Sequence, residues 1–169
     1  KSYFNPAQDG RDKDGNINRE VAGVKQLSSI EDEYKGVRQG TGVADNRYST
    51  HSQTTITTAS KIIVMSAAEV WFLRAEAALR YNTGDDVENC YKQGVTVSFA
   101  QWDANGVSDY LESDNIPAAY VDVFDAKFNA DAPSTITPKW DNTADKEEKL
   151  ERIITQKWLA LYPEGCEAW

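Results

Sequence analysis

The run Asp12-Lys-Asp14-Gly-Asn16-Ile-Asn18-Arg-Glu20 places oxygen-bearing side chains on alternate positions. Alternating hard oxygen donors open an EF-hand loop, and the chemistry they suit is calcium coordination. Two positions depart from that loop. The sixth, where a glycine makes the sharp turn, is Ile17, and the closing glutamate arrives early, as Glu20. The run therefore reads first as an Asx-rich turn between short strands. Asp12, Asp14, Asn16, Asn18 and Glu20 as a calcium ligand set are the weaker alternative.

Other catalytic or metal chemistry has less to stand on. No nucleophile elbow, phosphate-cradling glycine loop or zinc signature occurs. With 27 Asp and Glu in the chain, pairs of carboxylates carry no weight for glycosidase chemistry by themselves. The single histidine, His51, reads as a loop residue. Cys90 lies inside a helical pattern as a small core residue and Cys166 beside a turn, a pair with neither a metal-ligand spacing nor a disulfide framework. On the residues alone catalysis is unsupported rather than disproved, and no resident cofactor is expected. Aromatic residues are the positive signal, five Trp and eight Tyr. Tyr34, Tyr48, Trp102, Tyr110 and Trp140 sit in polar, Gly- and Pro-rich surroundings that argue for surface placement. There they can offer flat apolar faces to sugar rings, with nearby Asp, Asn or Arg bonding the hydroxyls; for each one, packing against its own loop is the competing role.

The 169 residues are one domain's worth of chain and carry a net charge of −9. That charge repels a phosphate backbone and no Lys/Arg cluster interrupts it, which argues against nucleic-acid binding. No apolar run approaches the ~20 residues of a membrane-spanning helix. Residues 1–61 are loop-rich, with room for short strands: residues 1–60 hold six of the ten glycines and little periodicity. Residues 62–169 must supply the helical core. The aliphatic run Ile62-Ile63-Val64-Met65 suits one short buried strand.

Ser66-Ala-Ala-Glu69 is a capping-box pattern, and good helix formers follow from Ala67 to about Tyr81. Apolar residues surround most of that helix, so it is covered on two sides, and Glu69, Arg74, Glu76 and Arg80 are left as a stripe of local ion pairs. Asn82-Thr83-Gly84 makes a stop. Asp85 with Glu88 then looks like a second cap, opening a helix that runs to about Trp102. Two helices joined by so short a turn form an antiparallel hairpin. With Trp71 as the fourth residue of a tetratricopeptide unit, Ala75, Ala78, Tyr91 and Gly94 fall at its small or aromatic positions, and Val87 replaces the usual alanine. A short amphipathic piece follows at Ser108–Ser113. Another helix is expected to open near Pro117, with Tyr120, Val121, Phe124 and Phe128 facing the core. Residues 103–133 hold seven acids and one base, a solvated acidic face. A final helix from about Ala144 to Tyr162 has the cleanest periodicity, through Leu150, Ile153, Ile154, Lys157, Trp158 and Leu161.

Two blocks of sequence closely resemble the SusD/RagB family of nutrient-binding outer-membrane lipoproteins. One runs Ile63-Val-Met-Ser-Ala-Ala-Glu-Val-Trp-Phe-Leu-Arg-Ala-Glu-Ala-Ala-Leu-Arg80 and continues from Tyr91 to Trp102; the other runs from Glu148 through Gln156-Lys-Trp-Leu-Ala-Leu-Tyr-Pro163 to Trp169. The resemblance implies a mainly α-helical scaffold of tetratricopeptide-like hairpins, forming part of a single larger domain. It further implies a lipid anchor outside this portion, a place at the outer face of the outer membrane, and capture of an oligosaccharide, or in some members a peptide. A SusC-like TonB-dependent transporter would be the partner. The alternative is an interaction module of such a complex with no ligand site in this portion. Family members are several hundred residues long, so the helices here are expected to leave apolar surface exposed for missing neighbours. Ligand residues in the family follow no fixed motif, and none transfers to a numbered position.

Overall fold

A computed structural model of the chain describes residues 4–5, 20–21, 24–25, 36–38, 52–54, 58–60, 63–122 and 125–164. Among them, four two-residue strands precede four α-helices. The strands are β1 (Phe4–Asn5), β2 (Glu20–Val21), β3 (Val24–Lys25) and β4 (Gln53–Thr54); the helices are α1 (Ala67–Tyr81), α2 (Val87–Gln101), α3 (Val107–Leu111) and α4 (Lys146–Ala160). β1 pairs antiparallel with β4, Phe4 opposite Thr54, and β2 pairs antiparallel with β3, Glu20 opposite Lys25. The chain forms two compact units, one from residues 61–117 and 133–169, the other from residues 2–60 and 118–132. No described helix is long and apolar enough to cross a membrane.

In the helical unit, local signals decide where helices start. Ser66 is in extended conformation and its hydroxyl accepts from the Glu69 backbone N–H at 3.0 Å, so the expected cap forms. Asn82 closes α1 in the left-handed region at φ 52°. The second cap is one residue later than the sequence suggested. Asp86, not Asp85, accepts from the Asn89 N–H at 3.0 Å, because Asp85 is turned to Arg74 in a bidentate pair with a shortest contact of 2.6 Å. Arg74 also lies 4.4 Å from the centre of the Trp71 ring, while Glu76 pairs with Arg80 at 2.7 Å.

The core lies where α1, α2 and α4 meet. Ala68, Phe72, Ala75 and Ala78 of α1 face Cys90, Tyr91, Gly94 and Val95 of α2, and Trp140, Ile153 and Ala160 join them in the buried cluster. Gly94 fixes how closely the hairpin packs: a Cβ there would stand 2.7 Å from the Phe72 ring. Tyr91 is buried with its ring edge-on to Phe72 at 6.3 Å, and its hydroxyl donates to the Pro138 carbonyl. Burial pushes the Tyr91 phenol far above its ordinary range. The folded state thus holds that proton more tightly than the unfolded chain, whose phenol ionises at about 10. Its contribution to stability is complete below about pH 10 and is lost as pH rises toward the folded value. Tyr91→Phe is expected to flatten this alkaline loss in urea titrations between pH 9 and 11, and at neutral pH to cost about 1–3 kcal/mol for the carbonyl left without its donor.

Two expectations are corrected by the fold. Ile63, Val64 and Met65 form no buried strand; they make an exposed bend ahead of α1, with Val64 95% exposed. Nor does a helix open near Pro117. Tyr120 forms an isolated antiparallel bridge with Ala130, through hydrogen bonds of 2.8 and 2.9 Å, and Ala126–Phe128 is a single 3-10 turn. The cause is local: Asp122 accepts from the Asp125 N–H at 2.9 Å, and Asn129 Oδ1 accepts from the Asp122 N–H at 2.8 Å. Short polar side chains bonding nearby backbone in this way compete with the helical ladder. Val121 is exposed, and Phe128 is only half-buried. Phe124 lies outside the described residues. In the same unit Arg38 donates to the Phe128 and Asn129 carbonyls at 3.4 and 3.3 Å.

Candidate functional site

The three described aromatic candidates end up in three different situations. Trp140 is 9% exposed, and its ring lies against Tyr91 at 5.1 Å. Its indole N–H donates to Asn142 Oδ1 at 3.0 Å, and Asn142 in turn donates to Glu88 at 2.9 Å, which fastens the 133–145 segment to α2. Surface placement was therefore the wrong expectation for Trp140, whose polar neighbours serve to anchor a buried ring. The Lys92 and Asn142 hydrogen bonds hold the Glu88 carboxyl below its usual range.

Tyr110, on α3, is partly buried. Its ring packs on Phe99 at 5.1 Å, and its hydroxyl donates to Gln156 Oε1 at 3.0 Å while accepting from Gln156 Nε2 at 2.9 Å. Burial pushes the phenol up, partly offset by the Gln156 hydrogen bond. Trp102 caps the C-terminus of α2, half-buried, and meets Tyr162 edge-on at 6.3 Å. The chain turns sharply after it, with Asp103 at φ 51° and Gly106 at φ 83°, so the pair sits beside a loop that also supplies a carboxylate. Tyr34 and Tyr48 lie outside the described residues, as do Asp12, Asp14, Asn16 and Asn18; of Glu20 only the backbone, in β2, is described. Among the described residues no cluster of three or more His, Cys, Asp or Glu side chains is placed to hold a metal ion.

A groove of about 700 Å³ opens between α3, the 113–117 and 133–138 segments and α4. Ile116, Ile154, Trp158 and Leu159 are among its apolar walls, and Tyr110, Gln156, Ser134 and Glu151, with Ser113, Asn115 and Thr155, supply its polar groups. Trp158 is 51% exposed there. The sequence placed it on the core-facing stripe of α4, but the residues buried there are Leu150, Arg152, Ile153, Gln156, Lys157 and Ala160. Ile154 and Trp158, four residues apart, form a second apolar edge, and that spacing was the available signal. Tyr162 was missed as Trp102's neighbour, because the contact joins the ends of two helices distant in sequence.

The chain matches the family model of the SusD and RagB outer-membrane lipoproteins over residues 2–169. Solved structures agree. A SusD homologue from Bacteroides thetaiotaomicron is 35% identical, with a TM-score of 0.77 over 99% of this chain. A chitin-binding SusD homologue from Flavobacterium johnsoniae is 37% identical, with a TM-score of 0.78 over 99%. A SusD homologue from Bacteroides vulgatus is 38% identical, with a TM-score of 0.77 over 99%. In each case this chain spans 32% of the matched chain. The search of curated proteins gives no match. With a family model matched along nearly its whole length and a helical fold shared with solved members, the chain belongs to the SusD-like family.

Proposed function

We propose that the polypeptide carrying these residues binds an oligosaccharide at the bacterial cell surface, as a lipid-anchored outer-membrane protein, and delivers it to a SusC-like TonB-dependent transporter without chemically altering it. The observation that carries this reading is the match along 99% of the chain to a chitin-binding member of the same family. Supporting it within the chain is the Trp102–Tyr162 pair, an edge-to-face aromatic arrangement beside the Asp103 loop. Such a pair offers a ring apolar surface, and the loop offers hydrogen-bond acceptors for hydroxyls. Tyr34 and Tyr48 remain in the proposed set, and Tyr110 belongs to it through its place on the groove. For the run from Asp12 to Glu20 the proposal is an Asx-rich turn, with calcium as the alternative occupant.

Affinity electrophoresis against a panel of β- and α-linked glycans tests the reading. Retardation by at least one glycan is expected, and Trp102→Ala is expected to weaken it roughly tenfold, the effect of truncating one aromatic anchor. Unchanged retardation in that variant would move the site away from the Trp102–Tyr162 pair. Retardation by no glycan, together with capture of peptides, would replace the ligand class.

A second reading, an interaction module with no ligand site in this portion, draws on the exposed Val70 and Leu73 of α1. Transporter association that survives Trp102→Ala while glycan retardation is lost would favour the first reading over it.

A further inference from the structure

Three of the described arginines pair with a carboxylate: Arg74 with Asp85, Arg80 with Glu76 and Arg152 with Glu148. That is the expected state in a chain where 27 Asp and Glu outnumber 18 Lys and Arg. Arg38 is the exception among the described residues. It is exposed, and what it bonds are two neutral acceptors, the Phe128 and Asn129 carbonyls, both through Nη1, at 3.4 and 3.3 Å.

Those bonds leave the Nε–Nη2 edge of the guanidinium without a partner among the described residues. It is the edge with which Arg74 grips Asp85, Nε to Oδ2 at 3.1 Å and Nη2 to Oδ1 at 2.6 Å. Such a planar fork matches a carboxylate through two parallel N–H bonds, a geometry that a lysine ammonium does not reproduce. Arg38 is also held in place. The Tyr120 hydroxyl donates to the Gly36 carbonyl at 3.4 Å, two residues before Arg38, with Asp122 Oδ2 as its other acceptor at 3.3 Å. Tyr120 is itself fixed by its bridge to Ala130. Within the unit of residues 2–60 and 118–132, a side chain of each segment thus bonds the backbone of the other. Ordering a long side chain in advance lowers the entropy cost that a ligand would otherwise incur. The acids of the 118–132 segment that are described around it have other partners: Asp122 is buried and accepts from the Asp125 N–H at 2.9 Å, and Asp125 pairs with Lys127 at 2.7 Å.

The geometry points to Arg38 as a specificity residue for an acidic glycan, its Nε–Nη2 edge gripping a sugar carboxylate of the uronate or sialate kind. This rests on the glycan reading above and is independent of the Trp102–Tyr162 pair.

Isothermal titration of the natural polypeptide tests it, with oligogalacturonates, hyaluronan oligosaccharides and sialylated oligosaccharides, each beside its methyl-esterified counterpart, and with neutral chitin oligosaccharides. At least one acidic glycan is expected to bind, about tenfold or more tightly than its own methyl ester, which keeps the rings and linkages and removes the charge. Raising the salt concentration should weaken the acidic glycan and leave the ester unaffected. Arg38→Gln should abolish the preference for the acid while keeping the wild-type melting temperature, since its bonds to the two carbonyls are long and exposed. Arg38→Lys, which keeps the charge and loses the fork, should restore only part of it. Binding of neutral glycans alone would overturn the proposal and leave the glycan reading standing. Binding of no glycan would remove both. An undiminished preference for the acid in Arg38→Gln would also overturn it, assigning the carboxylate to another residue.

Discussion

Phe72→Ala is expected to destabilise the helical unit by about 3–5 kcal/mol, the range for removing a large buried ring whose surroundings cannot fully collapse. Phe72 is completely buried, its edge meets Tyr91 and its tip fills the place where Gly94 has no side chain. Gly94→Ala is its counterpart. The new Cβ would stand 2.7 Å from the ring, and overpacking of this kind costs about 1–3 kcal/mol, against the ~1 kcal/mol by which alanine favours a helix over glycine. The two changes should be strongly non-additive. With the ring gone the Cβ has room, so Gly94→Ala in the Phe72→Ala background should become neutral or stabilising. Urea midpoints of the four proteins, at a common slope, measure this coupling. Additive effects would mean that the hairpin's spacing is not set by this contact.

Trp140→Ala is expected to cost about 3–5 kcal/mol of stability while leaving the glycan affinity of the folded protein unchanged. The ring is buried on Tyr91, whose hydroxyl is held by the adjacent Pro138 carbonyl, so truncation opens a cavity and loosens the segment that carries that acceptor. Trp102→Ala should do the reverse, sparing the melting temperature relative to Trp140→Ala and weakening ligand binding. Thermal melts and glycan titrations of the two variants side by side separate the roles. Weakened affinity in folded Trp140→Ala would return that residue to the binding set.

These two tryptophans show what could and could not be read ahead of the fold. Both sit in polar stretches, and nothing local distinguishes them. Trp140 is buried by Tyr91, 49 positions earlier, a contact that only the packing of the 133–145 segment on α2 creates. Features whose causes are local were legible. The Ser66 cap, the left-handed stop at Asn82 and the small positions Ala75, Ala78 and Gly94 that let α1 and α2 approach all appear where the pattern placed them. The segment after Pro117 misled because its aromatic spacing is helical, whereas Asp122, Asp125 and Asn129 bond the backbone and favour a bridge and a 3-10 turn. The cap at Asp86 was displaced for a similar reason, since Arg74 competes for Asp85. Trp158 fell on the wrong side of α4 because one helix can carry two apolar edges, and periodicity alone does not say which neighbour covers each.

The site is less legible than the scaffold. A carbohydrate platform needs a few aromatic faces brought together by loops, with no fixed spacing between them, so composition identifies candidates and only the fold sorts them. Of the described candidates, the fold commits Trp140 to the core and leaves Trp102 half-buried beside Tyr162.

The central claim, capture without chemistry, is tested most directly by isothermal titration of the natural polypeptide with chitin oligosaccharides and a wider glycan panel, followed by chromatography of the glycan recovered from the cell. Saturable binding of at least one glycan at a fixed stoichiometry is expected, with the glycan recovered at its original length. Shortened products accumulating beyond one equivalent, or no binding to any glycan, would contradict it.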